Sequence, residues 1–143
     1  MPNEKLETLV ELVNEKVKFK SVTRENEIIT IDYIPPLGDG EGYMPLELFL
    51  MSFASCSGAT VVTLLRKMRK NVAGLKVNAI GTRKEEHPTG FKEIKLIFEV
   101  KSNDTEKVDV EKAIRMSEET FCPVWSMMKN NVEVTWDISI IAE

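Results

Sequence analysis

A chain of 143 residues, 43% apolar and 29% charged, has room for one domain over residues 1–143 built on a single core. Its net charge of −4 argues against a nucleic-acid partner, since phosphate binding needs a cationic face. One histidine, His87, and two cysteines, Cys56 and Cys122, show no zinc-ligand spacing, so no metal is expected.

Leu6, Leu9, Val10 and Val13 stand at helical spacing, which predicts a short amphipathic helix within residues 1–14. Charges every few positions over residues 1–20 leave no apolar run for a signal peptide, so a cytoplasmic location is expected. Strand patterns follow at 16–22 and 27–34, around a turn at 24–26. Residues 35–42, Pro-Pro-Leu-Gly-Asp-Gly-Glu-Gly, read as a loop. They lack the Gly-Lys-Ser/Thr of a phosphate loop, and Asp39 and Glu41 would repel a phosphate, so a flexible lid or connector is expected.

Pro45 opens a long helix predicted to end near Lys70, with Arg66, Lys67, Arg69 and Lys70 suiting the negative end of its dipole. Its stretch 48–65 carries no charge, but six Ser, Thr or Gly and the flanking Glu47 and Arg66 argue against a membrane span. The pattern predicts a helix buried on all sides by protein. A hairpin follows. Leu75, Val77 and Ala79 alternate on one arm, His87-Pro88-Thr89-Gly90 turns, and Ile94, Leu96, Phe98 and Val100 alternate on the other.

Asp109 reads as the N-cap of a second helix with Val110, Ala113, Ile114 and Phe121 as its apolar stripe. Val132, Val134, Trp136, Ile138 and Ile140 form one face of a last strand. The order (α)ββ-α-ββ-α-β, with hairpins segregated from helices, is an α+β fold. Small residues surround Cys56 on the central helix, which lets a second helix approach. With only two substantial helices in the chain, that helix is expected from another subunit.

Two cysteines in a reducing compartment are not a permanent staple. Buried, inert thiols are the plain alternative. Cys56 shares a helix face with Phe49, Ser52, Phe53, Thr60 and Thr63, either a half-polar pocket or a small-residue contact. Cys122 precedes Pro123, which pre-sets a short helix over 124–130 with Cys122 at its N-cap, where the dipole favours a thiolate. An ordinary thiol is only about 3% thiolate at pH 7, so a fast Cys56 needs an activator, and none stands at an obvious position. Trp125, Met127 and Met128 suit an apolar pocket or core. His87 suits an exposed turn, and Asp104, Glu106 and Asp109 suit loop and cap positions.

The segments Met44-Pro45-Leu46-Glu47-Leu48-Phe49, Ala54-Ser55-Cys56-Ser57 and Phe121-Cys122-Pro123-Val124 together resemble the OsmC/Ohr family of hydroperoxide-resistance proteins. The resemblance runs from about Val17 to the C-terminus. It implies an intertwined homodimer with central helices flanked by sheets and active sites at the subunit interface. It also implies that Cys56 is the peroxidatic thiol and Cys122 the resolving thiol, with organic hydroperoxides as substrates. An external dithiol is the reductant, and no cofactor is implied.

The chain departs from the family where Leu46 replaces a Glu that pairs with an activating Arg. Glu47 comes one residue later, half a turn round the helix from Cys56, and no Arg occupies the matching loop position. Glu47 and Arg24 are the supporting candidates, with Arg83 behind them. A divergent branch follows. Its rival readings are a catalytically weak small-molecule-binding module and a disulfide exchange protein, the latter disfavoured by the absence of Cys-x-x-Cys.

Overall fold

The structure, a computed structural model, describes residues 4–143, and the chain divides into two compact units, Met1–Leu48 and Phe49–Glu143. In the first unit β1 (Leu9–Leu12), β2 (Phe19–Val22) and β3 (Ile29–Ile31) form an antiparallel sheet in that order. The helix expected within residues 1–14 is therefore corrected to a strand, its residues 1–3 lying outside the described residues. An isolated helix of that length is marginal. Pairing Leu9 with Val22 and Leu12 with Phe19 gives the same backbone groups a ladder of partners instead.

The loop after β3 is tied down rather than free to act as a lid. Asp32 is fully buried, and its carboxylate accepts the N–H groups of Tyr33 at 2.8 Å and of Asp39 and Glu41 at 3.2 Å each. Lys16 pairs with Asp39 and Lys18 with Glu41. Gly38 passes so close to Tyr33 and Asp32 that a Cβ there would overlap both, which explains the glycine. The loop amides that a phosphate would need are spent on Asp32 and on the Ile34 and Tyr33 carbonyls.

In the second unit β4 (Gly74–Arg83) and β5 (Phe91–Lys101) form the expected hairpin, and β6 (Glu133–Ile141) adds parallel to β5. Ile94, Leu96, Phe98 and Val100 of this central strand are fully buried. Helix α1 (Pro45–Lys67) starts at the expected proline, and just beyond its end Arg69 adopts a left-handed conformation. Its buried stripe is Phe53, Ser57, Gly58, Val61, Leu64 and Leu65. Met51, Ser52, Ser55, Ala59 and Thr63 stand exposed, so burial on all sides is not met among the described residues. α1 is also long and apolar enough to cross a membrane by length and composition.

Helix α2 (Lys107–Met116) begins one residue after Glu106, not after Asp109. Asp109 sits at the third helical position, and its carboxylate reaches back to accept the Glu106 N–H at 2.9 Å. A π-helical turn (Ser117–Phe121) then leads into α3 (Pro123–Met128). The cause is Pro123. It holds Cys122 extended, at φ −89° and ψ 105°, and the Cys122 N–H closes the wide turn on Ser117 O at 2.9 Å.

Candidate active site

Cys56 lies in the middle of α1, and Cys122 caps α3. The structure brings their sulfurs to 3.1 Å while both remain free thiols, against about 2.05 Å in a disulfide. Cys122 is buried, with 2% exposure, and Cys56 is half-buried. Of the pair, Cys56 is the less buried residue.

The cap role expected for Cys122 is met, as its sulfur accepts the Trp125 N–H at 3.4 Å. Ser57, one residue beyond Cys56 and fully buried, donates its hydroxyl to the same sulfur at 3.8 Å. Burial pushes the Cys56 thiol above its ordinary value, a backbone N–H from Val124 pulls it down, and the neighbouring Cys122 sulfur raises it further. The net direction is up. Among the described residues, the groups acting on Cys56 include no cation.

An aromatic ladder fixes α3. Phe53 meets Trp125 edge-on at 5.3 Å, and Trp125 meets Trp136 edge-on at 5.8 Å. Trp136 donates to Glu111 at 2.9 Å and lies under the Arg115 guanidinium at 5.5 Å. Trp125 and Met128 are thus core, whereas Met127 is 78% exposed.

The supporting candidates stand at a helix cap and two turns. Glu47 accepts the Met44 N–H at 2.8 Å and caps the first turn of α1. Arg24 occupies the β2–β3 turn at φ 53°. Arg83 donates to the Thr89 carbonyl at 2.7 Å and to its hydroxyl. His87 is exposed in its turn, and Asp104 accepts from Asn71 and Ser102 in a loop. A groove of about 560 Å³, lined by Met51, Ala54, Gly58, Ala59, Val62 and Leu75 among others, includes neither cysteine.

Sequence reasoning missed Ser57 as a polar partner, grouping it with the small residues around Cys56. A signal was present: Ser57 lies four residues from both Phe53 and Val61, a hydroxyl placed on an apolar stripe. The Val124 and Trp125 amides were invisible as individual contacts, because backbone groups carry no sequence signature.

A mixed α+β fold with two small sheets and a cysteine pair joining its long helix to a Cys-Pro turn defines the class, and the chain belongs to the OsmC-like protein family, which it matches over residues 38–137. It is 34% identical over 98 residues to Protein YhfA of Escherichia coli K12, covering 68% of this chain and 73% of YhfA. A crystal structure of a hypothetical protein from Aquifex aeolicus VF5 superposes with a TM-score of 0.84 at 31% identity, over 98% of each chain. An organic hydroperoxide resistance protein OsmC from Legionella pneumophila shares the fold, with a TM-score of 0.75 at 15% identity over 97% of this chain and 99% of its own. The resemblance read from the motifs is borne out at the level of family and fold.

Proposed function

We propose that this protein is a thiol-dependent peroxidase that reduces organic hydroperoxides, with Cys56 as the attacking thiol and Cys122 as the resolving one. The observation that carries the reading is the 3.1 Å sulfur contact between one half-buried and one buried cysteine. Cys56 thiolate attacks a peroxide oxygen, the O–O bond breaks, and the alkoxide leaves as the alcohol after taking a proton. Cys56 becomes a sulfenic acid. Cys122 attacks that sulfur, hydroxide departs as water with the Cys122 proton, and a disulfide forms. An external dithiol then supplies two electrons and two protons to restore both thiols. The cycle calls for no metal, flavin or nucleotide, and a reducing cytoplasm suits its resting state.

The reading includes a homodimer. The open groove beside α1 is lined by small apolar residues that admit a second helix closely, and Leu9, Val10 and Leu12 of β1 are exposed. Glu47 and Arg24 are carried as supporting residues. A second reading, a small-molecule-binding module with weak catalysis, is favoured by one observation, the raised pKa of Cys56 with no cation acting on it among the described residues.

The test is consumption of cumene hydroperoxide with a dithiol by wild type, Cys56→Ser and Cys122→Ser. Turnover in wild type, none in Cys56→Ser and trapped sulfenic acid in Cys122→Ser support the peroxidase. Inactivity of wild type across several peroxides and dithiols leaves the binding module.

A further inference from the structure

We propose that Ser57 is the hydrogen-bond donor that stabilises negative charge on the Cys122 sulfur, both when it attacks oxidised Cys56 and when it departs during reduction. The inference rests on the dithiol reading above and assigns a step within it to a residue outside the cysteine pair.

Three other hydroxyls near Cys56 bond within α1. Ser52 donates to the Phe49 carbonyl at 2.7 Å, Ser55 to the Ser52 carbonyl at 3.1 Å and Thr60 to the Cys56 carbonyl at 3.0 Å. Each bonds back to its own helix, the usual resort of a hydroxyl within a helix. Ser57 departs from that habit and donates across to the Cys122 sulfur at 3.8 Å. It is also fully buried, where alanine would fit the helix better and need no partner. The hydroxyl is therefore directed at the sulfur rather than at solvent or backbone.

The chemistry gives that direction a use. During resolution Cys122 attacks the Cys56 sulfenic sulfur, the new S–S bond forms, and the S–O bond breaks. The Cys122 proton leaves with the hydroxide as water. During reduction a dithiol sulfur attacks Cys56, the S–S bond breaks, and Cys122 departs with the electron pair before taking a proton. Cys122 bears negative charge in both steps, as the thiolate that attacks and as the sulfur that departs. Two donors meet it: the Trp125 N–H, which belongs to the backbone, and the Ser57 O–H, which the side chain supplies. No such charge gathers on Cys122 when Cys56 first meets the peroxide, so a donor at Cys122 should act on two steps and spare the first.

The experiment compares wild type with Ser57→Ala in single turnover. Sulfenic acid formation at Cys56 is followed with cumene hydroperoxide, disulfide formation by dimedone trapping against time, and reopening with dithiothreitol. In Ser57→Ala we expect the first step within about twofold of wild type. Reopening should slow up to about tenfold, the scale of one lost hydrogen bond to a charged group, and resolution about threefold, because the donor that makes the attacking thiolate commoner also makes it less nucleophilic. The potential of the Cys56–Cys122 couple, measured against glutathione without any peroxide in buffer alkaline enough to ionise the reduced thiols, should become about 30 mV more negative, equivalent to tenfold in a two-electron equilibrium.

The outcomes separate the two proposals. A wild type that consumes no hydroperoxide while Ser57→Ala shifts the potential sinks the peroxidase and keeps the Ser57 assignment. Turnover in wild type with resolution, reopening and potential all unchanged in Ser57→Ala overturns the assignment. Equal slowing of all three steps also overturns it, since that marks general repacking around α1.

Discussion

Truncating Trp125 tests whether the aromatic ladder is what holds the two sulfurs together. The ring is 2% exposed and contacts both Phe53 and Trp136, while its own backbone N–H lies on Cys122. Helix α3 has six residues, too short to persist without tertiary packing. Replacing a buried tryptophan by alanine removes about 3–5 kcal/mol, a large share of the roughly 5–15 kcal/mol that holds a domain folded. Trp125→Ala should therefore lose about 4 kcal/mol in urea unfolding, and disulfide formation on adding diamide should slow at least about tenfold as α3 loosens. Trp125→Phe keeps a ring against Phe53, so a loss of about 1–2 kcal/mol with disulfide formation near wild type is expected. Wild-type rates of disulfide closure in a Trp125→Ala protein weakened by the expected amount would show that α3 does not depend on the ladder.

Three further outcomes follow from the described contacts. Because the pKa of Cys56 is raised, its thiolate is scarcer at pH 7 than the about 3% of an ordinary thiol, and its alkylation rate should climb about tenfold per pH unit from pH 7 to 8. The same shift adds stability below the unfolded-state thiol pKa and loses it as pH rises through the folded one; iodoacetamide kinetics levelling off at pH 7 would refute the direction. The Ser117 hydroxyl is buried without a partner among the described residues, so Ser117→Ala should gain up to about 1 kcal/mol, read as a higher urea midpoint at unchanged slope. Burial pushes the Asp32 carboxyl up, but N–H groups from Glu41, Tyr33 and Asp39, with Lys18 nearby, bring it below its ordinary value. Its contribution is thus present above the ordinary carboxylate pKa of about 4 and lost as pH falls through the lower folded value. Asp32→Asn should melt earlier than wild type at pH 7, with the gap closing in acid, and a gap independent of pH would contradict this.

The parts of the fold legible in the sequence were those set by local chemistry. Pro45 marked the start of α1, alternation marked β4 and β5, and Cys122-Pro123 marked a cap followed by a helix. The parts that stayed hidden depend on partners distant in the chain. Leu6, Leu9, Val10 and Val13 fit a helix as well as a strand, and only pairing with β2 decides for the strand. The parallel placement of β6 beside β5 leaves no local mark. Asp109 was recognised as a capping residue but set three positions early, because the same carboxylate can cap from either end of that first turn. At the site, the motifs named both cysteines, and the geometry added the 3.1 Å contact, the raised Cys56 pKa and the turn of Ser57 toward Cys122.

The two sulfurs stand 66 positions apart in sequence while nearly touching in space. A bond between them would tie the unfolded chain into a closed loop of that size, removing disorder worth about 4 kcal/mol from the denatured ensemble. For a chain of this length such a gain lifts the melting point by about 10 °C. Oxidation would then leave a physical record besides its chemical one. The oxidised protein would outlast the reduced one under heat or protease, and the fraction surviving a fixed challenge would count how many molecules carry the bond.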